Sequence, residues 1–443
     1  MGFRMNRVDR RHFLVRSGLA LGVALLSSDI RSLSWGAGQA MPARSPDWQA
    51  VRDQFPLSRD LIHLAGFFLA SHPTPVRQAI ERHRDGLDAD PIGYWLLHEK
   101  KQEAAVLRAA AGYLGVAPTE IALTDSTTMG LGLLYGGLTL KPSQEILTTT
   151  HDHYSTETSL RLRAERTGAT VRRISLYDDL RRISIESLVK TLASAIRPQT
   201  RVVAVTWVHS STGLKLPIAA MAQAIDSVNA SRAEQDRIVF CVDGVHALGV
   251  EDFRLNDLGC DFLIAGTHKW MFGPRGTGLV WGHPRAWPVA NATIPTFDSE
   301  AYDMWMRVIP PRTLPPSVYM TPGGFHSFEH RWALDEAFLF HQSLGKSRVT
   351  QRIHELNDQM KQGLAAMPRI TLHTPRSRDL SAGIVCFEVA GMSPDQVVTE
   401  LRRRRIAASV TPYATQYARV APGLLNSPAE IETVLREIHG LVG

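Results

Sequence analysis

The strongest constraint on this chain is a set of short apolar runs that show no polar alternation. Arg201-Val-Val-Ala-Val-Thr-Trp207 and Ile238-Val-Phe-Cys-Val242 are rich in β-branched residues on both faces. A strand without alternation buries both sides, which happens in parallel sheets covered by helices above and below. Glu145-Ile-Leu-Thr-Thr-Thr150, Asp261-Phe-Leu-Ile-Ala265 and Thr277-Gly-Leu-Val-Trp281 extend the series. Helical patterns fall between them: an Ala-rich stretch at 104–114, a segment opened by Gly and Thr at 127–138, and 155–167. Strands alternating with helices predict an α/β fold with a mostly parallel sheet. In such sheets ligands sit beyond the carboxyl ends of the strands.

Around this centre the chain divides into four parts. Residues 1–40 read as a leader, and 41–103 as an arm with helices, irregular and Pro- and Arg-rich over 41–60. Residues 104–325 form the large domain, closed by a long irregular crossing at 282–325 that carries Pro295, Pro310, Pro311, Pro315 and Pro316. A connecting helix at 329–343 opens the last part, 326–443, a small C-terminal α+β domain with strands near 383–389 and 406–410. No internal repeat or low-complexity tract interrupts this plan.

The formal charge of +6 is concentrated in the leader, where six Arg face Asp9 and Asp29. Removing that +4 leaves +2 over the other 403 residues, so no basic nucleic-acid surface is expected. Cys241, Cys260 and Cys386 make neither a disulfide framework nor a C-x-x-C metal pair. Asp9-Arg10-Arg11-His12-Phe13-Leu14 precedes an apolar run from Val15 to Leu26, too short to span the roughly 30 Å hydrocarbon core. Small residues at Ala37, Gly38 and Ala40 follow. The leader resembles a twin-arginine export signal, which implies the twin-arginine machinery as a partner and cleavage near Ala40. The mature protein is then expected in the periplasm without a membrane anchor, having gained any cofactor before export.

Two strand ends carry the chemistry. Phe240-Cys-Val-Asp243-Gly-Val-His246-Ala247 ends one strand on an acid, and Ala265-Gly-Thr-His268-Lys269-Trp270 ends another on a lysine. Gly273-Pro-Arg-Gly276-Thr-Gly278 follows. It precedes a strand and opens no helix, so it is not a dinucleotide-binding loop. A lysine among small residues and cationic neighbours loses part of its basicity and suits Schiff-base chemistry. A strand-end acid can keep a pyridine nitrogen protonated.

The segment 238–281 resembles the class V branch of fold-type-I pyridoxal-phosphate enzymes, the group of aminotransferases, cysteine desulfurases, kynureninases and isopenicillin N epimerases. The resemblance extends over roughly 60–440 and is tightest around Asp243 and Lys269. It implies pyridoxal 5'-phosphate as cofactor, Lys269 as the Schiff-base and proton-shuttling lysine, and Asp243 on the pyridine nitrogen. His246 is expected on the phenolic oxygen, with Thr267 and His268 reaching the phosphate. Asp125-Ser126-Thr127-Thr128-Met-Gly130 opens a helix and is expected to cradle that phosphate. In Asp152-His153-Tyr154-Ser155-Thr156, His153 is the expected ring stacker and Tyr154 the alternative. In Thr206-Trp-Val-His209-Ser210-Ser-Thr-Gly213, Ser210 stands where the family places an Asn beside the ring. Arg419, opening Arg419-Val-Ala-Pro-Gly-Leu-Leu-Asn426-Ser427, matches the clamp on the substrate α-carboxylate.

The family resemblance also implies a homodimer with a pocket at the two-fold interface. Pro322-Gly-Gly-Phe325-His-Ser327 lies where relatives reach the partner's phosphate, but Phe325 cannot donate that bond, which leaves Ser327 as the substitute. The expected activity is aminotransferase-type chemistry at the Cα of an amino-acid or peptidyl amino-acid substrate, with epimerisation, decarboxylation or elimination as alternatives. Exported members that this chain resembles tailor pyoverdine-type siderophore peptides. Desulfuration is not expected, because Ser409-Val-Thr-Pro-Tyr413-Ala-Thr-Gln-Tyr417, on the approach to the clamp, holds no thiol. Two readings from other classes compete: a periplasmic metal hydrolase built on His151 and His153, and an inactive binding protein. The first lacks a third ligand at metal spacing, so no metal is expected. The joint presence of Lys269, Asp243 and Arg419 argues against the second.

Overall fold

Alternate residues of the central strands face two different cores. Val203, Val205, Phe240, Val242, Leu263 and Ala265 enter one core, while Val202, Ala204, Val239, Cys241, Phe262 and Ile264 enter the other. This two-sided burial explains why the runs show no polar alternation, at about 1.5–3 kcal/mol for each large apolar side chain removed from water. The computed structural model describes residues 47–442. Its main sheet has seven strands in the order Ile121–Thr124, Gly278–Gly282, Phe262–Gly266, Val239–Asp243, Thr200–Thr206, Glu145–Thr149 and Thr170–Ile174. Gly278–Gly282 runs antiparallel to both neighbours, and the other pairings are parallel. The chain therefore has the mostly parallel α/β sheet expected from its sequence.

Register brings the strand ends level. Thr206 pairs with Asp243, Asp243 with Ile264 and Gly266 with Gly278. The segments leaving Thr149, Thr206, Asp243 and Gly266 thus emerge along one edge, beside the start of the helix Thr127–Gly137.

A second sheet, Ser409–Val410, Ala418–Val420, Val385–Val389 and Ile370–Leu372 in that order, is antiparallel. It shares a third core with the helices Lys346–Ala365, Pro394–Arg403 and Pro428–Val442, through Leu356, Phe387, Val397 and Ile431. Ile62–His63 pairs in parallel with Ile406–Ala407 and carries Leu64 into the same core.

Several elements differ from the sequence reading. The helix expected at 104–114 begins at Pro91, because Asp90 accepts from the Gly93 N–H at 3.0 Å and proline suits a first turn. Within the expected irregular arm, Trp48–Asp53 is helical, capped by Asp47. The helix expected at 329–343 is two, Phe328–Trp332 and Leu334–Leu344. The single strand expected near 406–410 is two two-residue strands in different sheets. The crossing at 282–325 contains the short helices Ser299–Trp305 and Pro316–Met320. The leader and its paired arginines lie outside the described residues. Among those described, no helix is long and apolar enough to cross a membrane.

Candidate active site

The aligned strand ends enclose a cavity of about 160 Å³ lined by Ser126, Thr127, Thr128, His153, Ser210, Asp243, His246, His268, Lys269 and Arg419. Phe67 and Thr206 also line it. Most of the lining residues converge because each follows or ends a strand of the main sheet or starts the helix beside it, while Arg419 comes from Ala418–Val420 of the second sheet.

Lys269 sits in a turn that the fold holds under strain. Phe272 N–H donates to Lys269 O at 3.1 Å, and Phe272 takes φ 55°, a left-handed conformation costly for a bulky residue. Strain of this kind costs about 1–3 kcal/mol. The Phe272 ring is locked edge-on to Phe55 at 4.9 Å and stacked on His341 at 5.6 Å. His341 Nε2 in turn bonds Trp270 O at 2.9 Å.

Burial lowers the Lys269 amine from 10.5 to about 8, with Asp243 opposing the shift and Arg419 adding to it. Its Nζ lies 3.4 Å from His246 Nε2. Trp270 Nε1–H donates to His246 Nδ1 at 3.3 Å, so the proton of a neutral His246 belongs on Nε2, facing the amine. Burial, then Lys269 and Arg419, keep His246 well below the usual imidazole range.

Asp243 ends its strand almost fully buried. Its Oδ1 accepts from Val245 N–H at 3.1 Å. Burial raises its carboxyl to about 6, against the pull of that bond and of Lys269, while Asp152 pushes it further up. Asp152 had no role in the sequence reading, yet it ties two strand ends together. Its Oδ2 accepts from Thr148 Oγ1 at 3.0 Å, Thr149 N–H at 2.9 Å and Thr149 Oγ1 at 2.6 Å. Its Oδ1 accepts from Thr206 N–H at 2.6 Å. No local pattern could signal that the last bond spans two strands.

His153 follows directly and caps the helix Tyr154–Thr167, its Nδ1 accepting from Ser155 N–H at 3.2 Å. Burial chiefly, then Lys269 and Arg419, lower its pKa. Tyr154, the alternative stacker, is 73% exposed and does not line the cavity. Also on the cavity wall, Ser126 Oγ caps Met129 N–H at 3.1 Å, and Thr127 Oγ1 accepts from Gly266 N–H at 2.8 Å. Thr128 Oγ1 meets Ser155 Oγ at 3.0 Å.

Thr267, expected at the phosphate, is fully buried and off the cavity wall. Its hydroxyl is engaged by Thr277 Oγ1 at 2.6 Å, across the turn that follows the strand. His268 faces the cavity, with Nδ1 3.4 Å from Thr277 O.

Arg419 is 3% exposed and, among the described residues, has no ion-pair partner. Its guanidinium lies 4.5 Å over the Phe67 ring. Nε donates to Ser409 Oγ at 3.1 Å, Nη1 to Ser210 O at 2.9 Å and Nη2 to Val410 O at 3.4 Å. A buried cation held only by neutral acceptors is arranged for an incoming anion. Phe67 gave no signal in the sequence.

The residues of the metal reading do not converge. His151 stacks on Tyr177 at 4.1 Å and accepts from Leu176 N–H through Nε2 at 3.2 Å, while His153 faces the cavity. Among the described residues no group of three His, Cys, Asp or Glu side chains is set to hold a metal ion.

Residues 98–417, well over half of the chain, match the family Aminotransferase class-V. Isopenicillin N epimerase of Streptomyces clavuligerus is 27% identical over 414 residues, covering 90% of this chain and 99% of the relative. A probable cysteine desulfurase of Xylella fastidiosa (strain 9a5c) is 29% identical over 254 residues, 55% of this chain and 58% of that protein. Among solved structures, a variant of C-DES with glycine covalently linked to its PLP cofactor superposes with a TM-score of 0.77 at 21% identity, over 89% of this chain and 99% of that one. The apo cysteine desulfurase of Thermococcus onnurineus gives 0.73 at 20% identity, over 92% and 99%. These structures establish a shared fold.

The cavity fits pyridoxal phosphate on its own chemistry. A helix N-terminus with three hydroxyl residues suits a phosphate. A buried strand-end carboxyl suits a pyridine N–H, and an amine near 8 suits imine formation. Thr206 Oγ1, on the cavity wall, is buried without a hydrogen-bond partner. The match over residues 98–417, on a fold that sets a weakly basic lysine beside a strand-end aspartate, makes this chain a member of the class V aminotransferase family.

Proposed function

We propose that this chain is a pyridoxal-phosphate enzyme acting at the Cα of an amino-acid or peptidyl amino-acid substrate, with aminotransfer as its reaction. The cofactor is pyridoxal 5'-phosphate, held by Lys269, Asp243, His246, His268 and the Ser126–Thr128 helix start. The observation that carries the reading is the pairing, in one cavity, of an amine at about 8 with a buried arginine that has no anionic partner among the described residues. When bound, the cofactor supplies an electron sink for charge developing at Cα.

The residues divide the remaining work. Arg419 binds the substrate carboxylate and fixes which Cα bond faces Lys269. Lys269, its amine lowered to about 8, moves the proton at that Cα. Asp243 holds a proton at the pyridine nitrogen. His246 directs its Nε2–H towards the amine, and His153 covers the cavity and excludes water.

Epimerisation is the second reading, favoured by the relative from Streptomyces clavuligerus that this chain covers almost end to end. Desulfuration lacks a nucleophile, since all three cysteines are buried. Burial pushes the Cys386 thiol up to about 12 and holds Cys241 well above the usual thiol range. Export through the twin-arginine machinery to the periplasm, and a siderophore-type peptide substrate, are supported by the leader and its family resemblance. A homodimer is supported by the family resemblance and by the exposed apolar side chains Ile92, Leu97 and Phe325.

Incubating the reconstituted enzyme with amino acids in D2O tests the reaction. Aminotransfer converts the cofactor to its pyridoxamine form and releases a keto acid. Deuterium entering Cα with the amino group retained, and with inverted configuration, selects epimerisation. Neither response, from an enzyme that carries the cofactor's visible band, would overturn the reading.

A further inference from the structure

One side chain beside the clamp has no part in the function proposed above. Tyr413 lies on the loop between the strands Ser409–Val410 and Ala418–Val420. That loop is closed at its base: Thr411 N–H donates to Tyr417 O at 3.0 Å, and Tyr417 N–H to Thr411 Oγ1 at 2.9 Å. Its next residue, Pro412, lines the cavity. The Tyr413 hydroxyl is 2.8 Å from Ser210 Oγ, and the ring meets His153 edge-on at 6.2 Å.

Ser210 therefore has two tasks. Its carbonyl accepts from Arg419 Nη1, while its hydroxyl holds the Tyr413 phenol. Guanidinium and phenol thus bond the same serine, which lines the cavity together with Arg419 and Pro412.

We propose that Tyr413 is a substrate-binding residue, the second donor to the carboxylate held by Arg419, with Ser210 as the positioning residue that aims it. This rests on the reading of Arg419 as a carboxylate clamp. The hydrogen bond between the two hydroxyls can run in either direction. A carboxylate on Arg419 turns it one way, with Ser210 Oγ–H donating to the Tyr413 oxygen and the Tyr413 O–H donating to the carboxylate. No bond between protein groups is lost, and the chain polarises in one direction. Burial pushes the phenol up to about 12, so it stays protonated and able to donate throughout the neutral range. Tyr413 also gives the site a way to separate a carboxylate from a neutral amide. Its donated proton gains from a full charge, whereas an amide offers only a carbonyl.

The test uses holoenzyme and propionate, a carboxylate without an amine, titrated by calorimetry with propionamide as control. Arg419→Ala should abolish propionate binding, Tyr413→Phe should weaken it about 10-fold, and Ser210→Ala should weaken it by a smaller factor. The preference for propionate over propionamide should fall in Tyr413→Phe, and KM for a turned-over amino acid should rise more than kcat falls. Retention of the visible cofactor band shows that the variant is folded. If Tyr413→Phe does not fold, Ser210→Ala with native Tyr413 supplies the same comparison. Wild-type propionate affinity in the folded Tyr413 variant, or failing that in the Ser210 variant, while Arg419→Ala has lost it, refutes the role of Tyr413 alone. Wild-type affinity in Arg419→Ala overturns both this proposal and the clamp beneath it.

Discussion

The basicity of Lys269 can be measured without the cofactor. Acetic anhydride is small and uncharged, so it enters the cavity without altering its charges, and it acylates only the neutral amine. Lowering the amine from 10.5 to about 8 raises its uncharged fraction at pH 7 about 300-fold. Trace labelling of apoprotein across a pH series, read by peptide mass spectrometry, should show Lys269 reactivity rising through a midpoint near 8. The exposed Lys190 provides an internal standard. The sign of a second perturbation follows from the neighbours. Asp243 favours the charged amine, so Asp243→Asn should move the midpoint below that of the wild type. Arg419→Met removes a cation that disfavours it and should move the midpoint up. A wild-type midpoint at the ordinary lysine value, or an upward shift in Asp243→Asn, would falsify the account of how the cavity sets this amine.

Arg419→Lys should raise KM for a carboxylate substrate about 10- to 100-fold in steady-state assays, because a point charge replaces a fork with three fixed bonds. Gly266→Ala should speed cofactor loss and destabilise the apoprotein by about 1–3 kcal/mol in denaturant titration. Its added Cβ would lie 2.9 Å from Thr127 Oγ1 and 3.0 Å from His268 Cε1, prising the strand end from the helix start. Joint Arg10→Lys and Arg11→Lys substitution should leave the protein in the cytoplasmic fraction with its cofactor bound, and normal periplasmic delivery would count against the twin-arginine reading.

Much of the sheet was legible because its information is local. A run such as Val202–Val205, buried on both faces, announces a covered strand within a few residues. Asp243 and Lys269 were legible for the same reason, since each ends a recognisable run and sits in a recurring local pattern. The rest depends on partners far away in the chain. The contact of Arg419 with Ser210 O joins residues 209 apart, and that of Tyr413 with Ser210 Oγ residues 203 apart. Nothing near Tyr413 distinguishes it from Tyr417, which instead stacks on His373. Thr267 shows the opposite failure. The pattern around it matched, but its hydroxyl is held by that of Thr277, ten residues on, which no local signal shows. Two-residue strands such as Ile62–His63 carry no signal of their own, because their partner strand alone makes them strands.

That small pairing constrains how the protein is made. Ile62–His63 lies on Ile406–Ala407, Ala421 N–H donates to Leu64 O, Asn426 Nδ2–H donates to His63 O, and Arg52 pairs with Glu430 at 2.5 Å. An early segment of the described residues is thus completed by a segment more than 340 positions later. Leu64 stays exposed to solvent until Ile406 and Ile431 emerge and close around it. The large sheet, whose last strand ends at Gly282, can collapse earlier than the unit bearing Arg419, whose core needs Ile406 and Ile431. A nascent chain truncated before residue 406 would display the lysine turn without its clamp.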